Sequence, residues 1–161
     1  MPIISAYESN PLDDGRQSDR ALAVRRGVQR LLDDLGLAHV PEVTLANGRR
    51  ADIVALGKDG AIWIIEVKSS VADLRADNKW PDYRDFCDRL YFATLPDVPA
   101  EIFPQDAGFI VADSLGAAMI RDASTHKLSA ARRKAMTLRF ARQAAMRLHH
   151  AELLHGRSVD S

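Results

Sequence analysis

Cysteine is almost missing from this chain: Cys87 is the one thiol in 161 residues. That excludes an internal disulfide and a thiolate zinc cluster, and leaves Cys87 as a small apolar residue inside a helix. Long hydrophobic runs are missing too. No stretch approaches the roughly 20 apolar residues that span a bilayer, so no membrane role is expected. The N-terminus, Met1-Pro2-Ile3-Ile4-Ser5-Ala6-Tyr7-Glu8, has no basic region followed by an apolar one, so no signal peptide is expected and the chain reads as cytoplasmic. His126, His149, His150 and His155 have no partners at metal-ligand spacing. Repeats and low-complexity tracts are absent. Net charge is absent as well, with 22 basic and 22 acidic residues, but the balance is uneven along the chain. From Arg121 to Arg157 the basic side chains meet only Asp122 and Glu152, whereas acids outnumber bases between Asp73 and Glu101. A neutral protein with one basic face can still attract a polyanion, because local potential governs the encounter.

What is present fits one domain, with 47% hydrophobic residues and enough length for a core. Residues 1–16 read as a flexible N-terminal arm, 17–155 as a single folded domain and 156–161 as a C-terminal tail. Ser18 or Asp19 can cap a first helix with the stripe Ala21, Val24, Val28, Leu31, Leu32 and Leu35, ended by Gly36. Strands are expected over 40–46, 49–56 and 61–68, joined by an Asn47-Gly48 turn and by Gly57-Lys58-Asp59-Gly60. Pro81 suits the first turn of a second helix reaching about residue 94. Residues 107–112 and 117–121 read as a hairpin. Ser129 caps a last helix to about residue 153, whose packed stripe is expected to be Ala135, Leu138, Ala141, Ala145 and Leu148.

The chemistry sits on two of these strands. Asp52 lies on the second, and Glu66-Val67-Lys68 ends the third. Alternation places Glu66 and Lys68 on one face, roughly 6–7 Å apart along the strand. The hairpin can bring Asp52 beside them. Charged groups at the end of apolar strands are costly unless they pair or hold a metal. Two carboxylates can hold Mg²⁺ (or Mn²⁺), which takes oxygen ligands and keeps several waters. Such an ion lowers the pKa of a bound water and neutralises charge on a phosphate, and a lysine can add a preformed positive field. Asp52, Glu66 and Lys68 are therefore the candidate catalytic residues for phosphodiester hydrolysis. The bland alternative is a cross-strand ion pair.

This Asp…Glu-X-Lys arrangement resembles the PD-(D/E)XK nuclease superfamily. Asp52 matches its Asp, Glu66 its second acid and Lys68 its lysine, while Ala51 stands where proline is usual. The resemblance implies an α/β fold, an α+β mixed sheet with a restriction-endonuclease-like αβββαβ core, here with an added strand and a C-terminal helix. Longer blocks narrow it: Gly48-Arg49-Arg50-Ala51-Asp52, Glu66-Val67-Lys68-Ser69-Ser70, Lys79-Trp80-Pro81-Asp82-Tyr83-Arg84, Cys87-Asp88-Arg89-Leu90-Tyr91-Phe92-Ala93 and Ala131-Arg132-Arg133-Lys134-Ala135. Together they are similar to the MmcB family of bacterial DNA-repair proteins. That implies a nuclease acting on DNA in damage repair, with DNA and other repair proteins as partners.

Several residues are candidates for supporting roles. Glu42 is the candidate third metal ligand, with Asp33 and Asp34 as rivals; a solvated strand position is its alternative reading. Lys79, Trp80 and Tyr83 can flank the site mouth and touch nucleic acid, Trp80 by stacking on a base. Packing is the alternative for Trp80 and Tyr83. Arg132, Arg139 and Arg147 cluster on one side of the last helix and can grip phosphates by paired hydrogen bonds, or simply form a solvated face. Beside the nuclease stand two other readings, a catalytically weak DNA-binding or docking module and a partner-binding scaffold.

Overall fold

The computed structural model describes residues 15–159, with side chains described from 19 to 156. A six-stranded mixed sheet runs in sequence order β1 to β6: β1 Ala38–Thr44, β2 Arg50–Leu56, β3 Ile62–Val67, β4 Arg89–Thr94, β5 Gly108–Ala112 and β6 Ala117–Arg121. β1–β2–β3 are antiparallel, β3–β4–β5 parallel, and β5–β6 antiparallel again. The αβββαβ order expected of the core is present: α1 (Gly15–Asp34), three strands, the crossover helix α2 (Val71–Ala76) with a 3₁₀ segment at Trp80–Phe86, then β4. The long helix α3 (Ala130–Val159) closes the chain.

Both faces of the sheet are covered, and the sequence shows why. Odd positions of β2 and β3, Ile53, Ala55 and Ile65, face α1 and bury Val24, Val28 and Leu32 with Tyr91, Ala93 and Ile110. Even positions, Val54, Ile62 and Ile64, face Tyr83, Phe86, Met136 and Phe140 from the 3₁₀ segment and α3. Each large apolar side chain so buried contributes about 1.5–3 kcal/mol. A smaller cluster of Leu74, Phe92, Val98, Phe103 and Phe109 sits under α2. α1 approaches the β5–β6 turn so closely at Gly27 that a Cβ there would lie 2.1 Å from the Asp113 carbonyl oxygen.

Three expectations are corrected. The segment read as a helix to about residue 94 is a 3₁₀ segment followed by β4. Arg89-Leu90-Tyr91-Phe92-Ala93-Thr94 is buried on both faces in the parallel part of the sheet, so its apolar run carries no alternation to mark it as a strand. The neighbour of β3 is thus β4, and two strands rather than one extend the core. Second, the packed face of α3 is Met136, Phe140 and Ala144, whereas Leu138 and Leu148 are 54% and 62% exposed and Ala135, Ala141 and Ala145 are exposed too. Third, α1 is already helical at Gly15, so Ser18 and Asp19 lie inside it, and α3 runs to Val159, through most of the expected tail. The rest of the expected N-terminal arm lies outside the described residues. Among the described residues no helix is long and apolar enough to cross a membrane.

Candidate active site

Register brings the two acids together. The β2–β3 ladder ends at Ile53↔Ile65, and one step further Asp52 stands opposite Glu66. Side chains take over from the backbone there. The Asp52 N–H donates to a Glu66 carboxylate oxygen at 3.3 Å, and the Val67 N–H donates to Asp52 Oδ2 at 2.8 Å. Both acids lie on the Val54–Ile64 face, and Glu66 is 3% exposed.

Burial pushes the Asp52 carboxyl above its ordinary range, although its hydrogen bonds to Glu66 and Val67 and the nearby Lys68 and Arg50 charges oppose the rise. Glu66 stands well above its ordinary range, because burial, the Asp52 charge and a side-chain hydrogen bond with Asp52 raise it, against Lys68 and the Asp52 N–H. Two carboxyls in contact and largely shielded from water favour holding a proton between them, or a cation in its place. That donor set fits a hard divalent ion whose remaining ligands are waters.

Lys68 follows on the same face, its backbone N–H held by the Ala93 carbonyl at 2.9 Å. Its ammonium pairs with Asp77 Oδ2 at 2.6 Å, and each of these side chains is only 11% exposed. Burial disfavours the charged lysine, but Asp77, Glu66 and Asp52 outweigh it and raise its pKa above the ordinary value. Burial likewise works against the Asp77 carboxylate, yet Lys68 and the Lys79 N–H bring its pKa below the ordinary value. Asp77 ends α2, just after the segment anchored by the Ser70 cap on the Asp73 N–H, and it carries a hydrogen bond from the Lys79 N–H at 2.8 Å. Sequence reasoning passes over Asp77, which lies in a polar connection without periodicity. The one available signal is that it is an acid shortly after the motif lysine.

The other candidates divide. Glu42 lies across from Asp52, between Pro41↔Ile53 and Val43↔Ala51, but its backbone is left-handed at φ 52° and interrupts the pairing. Among the described residues no group of three or more His, Cys, Asp or Glu side chains can hold a metal, so Glu42 does not join Asp52 and Glu66. Asp33 lies 3.8 Å from a His39 ring nitrogen, far along β1 from the site, and Asp34 is an exposed residue at the end of α1. Tyr83 is buried beside the acids and donates from its hydroxyl to the Arg50 carbonyl at 3.2 Å; burial and the three carboxylates raise its pKa far above the ordinary tyrosine value. Trp80 packs edge-on against Phe92 with Arg84 over its ring, as a core anchor. Lys79 is exposed next to Asp77. Arg132 lies over the Phe86 ring, 4.7 Å from its centre. Arg139 donates to the Thr44 carbonyl at 3.2 Å, and Arg147 to the carbonyls of Pro41 and Glu42. These two guanidinium groups thus bind the free edge of β1. Cys87 is buried, and burial pushes its thiol up to about 12, consistent with an inert residue.

A family model described as DNA repair protein MmcB-like matches residues 8–155. The chain belongs to the MmcB-like family. A protein of unknown function from Silicibacter pomeroyi superposes with a TM-score of 0.81 at 41% identity, over 85% of this chain and 94% of that one. A repair endonuclease from Pyrococcus abyssi gives a TM-score of 0.33 at 12% identity, over 48% of this chain and 40% of that one, a likeness too slight to carry weight. No curated protein matches the chain. Membership places the chain among DNA repair proteins.

Proposed function

We propose that this chain is a metal-dependent nuclease that hydrolyses DNA phosphodiester bonds during repair. The observation that carries the reading is the facing and mutually repelling pair of half-buried Asp52 and buried Glu66, with the Lys68 ammonium on the same face. Asp52 and Glu66 would hold Mg²⁺ or Mn²⁺. The ion, when bound, supplies charge neutralisation at the phosphate and a water of lowered pKa. The chain supplies the rest. The Val67 N–H fixes the Asp52 carboxylate, burial excludes competing water, and Asp77 keeps Lys68 charged and aimed. A fixed cation beside the reacting phosphate stabilises charge as it develops without reorganising at that moment. Exposed Arg50 and Lys79 flank the site and suit the phosphates on either side of the scissile one.

A second reading, a weakly catalytic DNA-binding or docking module in the same repair role, is favoured by two features: Lys68 is bound to Asp77, and no third carboxylate among the described residues joins the pair. The experiment that separates the two is a cleavage panel of plasmid, single-stranded, flapped and cross-linked DNA with Mg²⁺ or Mn²⁺. Lys68→Ala is expected to keep the fold and most DNA affinity while cleavage falls by about 10² or more, the order seen when one preorganised electrostatic group is lost. Absence of cleavage by the parent on every substrate with both ions would favour the module. A large stability loss in Lys68→Ala, with normal turnover per folded molecule, would reduce Lys68 to half of a structural pair.

A further inference from the structure

A groove of about 490 Å³ opens between the segment leading into α3 and the first turns of that helix. It lies at the other end of the sheet from the candidate active site. Leu128, at its edge, is fixed through Asp88 to Ile62 at the start of β3, while Glu66 is four residues further on, about 13 Å at the strand rise. Its floor is Leu128, Thr137 and the 54%-exposed Leu138, and its walls are the stems of Lys127, Arg133 and Lys134. Arg133 is committed to Asp88 by two hydrogen bonds of 2.7 Å. Lys127 and Lys134 are exposed and carry no ion pair among the described residues, and no acid lines the groove.

We propose that this groove docks an acidic segment of a partner protein that inserts one bulky apolar side chain. The size lies within the range of ligand-binding clefts. An apolar floor under uncompensated cations is complementary to a peptide with the opposite layout, an apolar anchor flanked by carboxylates. A nucleic acid backbone would use the cations but leave Leu138 and Leu128 unfilled. Exposure of Leu138 has no account from the packing of α3, whose buried stripe is elsewhere, on Met136 and Phe140.

The test is fluorescence polarisation with the full chain and labelled synthetic peptides. The first probe is rich in Asp and Glu with one central Phe; the second replaces that Phe by Ser; the third replaces the acids by Lys; a single-stranded oligonucleotide serves as competitor. The first is expected to bind, and the second about tenfold or more weakly. The third should not bind the parent. Lys127→Glu with Lys134→Glu should lose the first probe by at least about tenfold, and Leu138→Ser, at an exposed position that does not threaten the fold, should do the same. Equal binding of the first two probes, failure of all probes, or indifference to both variants overturns the proposal. So does an oligonucleotide that displaces the first probe and depends on the same lysines, which would make the groove a nucleic acid surface.

Discussion

The two ends of β3 each bury an acid, and the two are treated in opposite ways. At the start, Asp88 receives the N–H groups of Ile62 and Leu128 at 2.8 and 2.9 Å and both terminal nitrogens of Arg133 at 2.7 Å. Burial opposes its charge, but these donors win and hold its carboxyl down at about 2. At the far end, Glu66 faces a second carboxylate and its pKa is raised well above the ordinary value. The same strand, with the same apolar interior between, thus has a satisfied charge at one end and a frustrated pair at the other. Satisfaction marks a structural role. Frustration that the fold relieves only in part marks a place where something else is meant to bind.

The largest expected effect comes from breaking the satisfied end. Asp88→Ala leaves Arg133 and two backbone N–H groups without their acceptor and releases the segment that leads into α3. Removing one partner of a buried charged network costs about 3–5 kcal/mol, which urea unfolding will read directly. A loss under about 1 kcal/mol would mean that water replaces the carboxylate.

Acid should weaken the same end next. The folded carboxyl at about 2 lies below the ordinary 3.8 of an unfolded chain. Its contribution is therefore present above about pH 4 and is lost as pH falls through 4 toward 2. The gap corresponds to roughly 2 kcal/mol. Stability measured against pH should drop over that window in the parent and stay flatter in Asp88→Asn.

The frustrated end should respond with the opposite sign. Without divalent ion, Glu66→Gln removes the repulsion with Asp52 and is expected to stabilise the fold by about 1–2 kcal/mol, a melting temperature gain of roughly 2–4 °C per kcal/mol. Mn²⁺ should stabilise the parent and not this variant, and calorimetric titration should show binding that Asp52→Asn and Glu66→Gln both abolish. If Glu66→Gln destabilises the metal-free protein, the pair is structural and the contrast between the two ends of β3 collapses.

This contrast explains what is legible in the sequence. Asp52 and Glu66 can be paired from the strand order and the Gly57-Lys58-Asp59-Gly60 turn, because a hairpin fixes register by loop length. The partner of Lys68 cannot. Asp77 is delivered by the end of a short helix whose position depends on tertiary packing, and nothing in its neighbourhood has a period. β4 is hidden for a different reason, since a strand buried on both faces has the composition of a helix core. The face of α3 is misread because apolar counting favours alanines, while the true packing uses Met136 and Phe140 with arginine and glutamine stems beside them.

The smallest expected effect lies away from both ends, on the edge of β1. An edge strand offers unpaired carbonyls, and here α3 covers several of them: Arg139 and Gln143 reach the Thr44 carbonyl, and Arg147 those of Pro41 and Glu42. These hydrogen bonds are exposed, so water can replace them. Arg139→Gln with Arg147→Gln should lower stability by about 1 kcal/mol or less. The same variant also decides whether these arginines hold phosphate, as their clustering on one helix side suggests. Each side chain that ceases to grip a phosphate of duplex DNA shallows the log–log dependence of affinity on salt by about 0.9. Groups already committed to backbone carbonyls should leave that slope near its parent value, with DNA held instead by Arg50 and Lys79 beside the acids. A slope shallower by about 1.8, with affinity reduced alike for all sequences, would show that both arginines leave β1 when DNA arrives. In that case the edge of β1 would be exposed in the complex, and the helix that seals it in the free protein would be part of the DNA-binding surface.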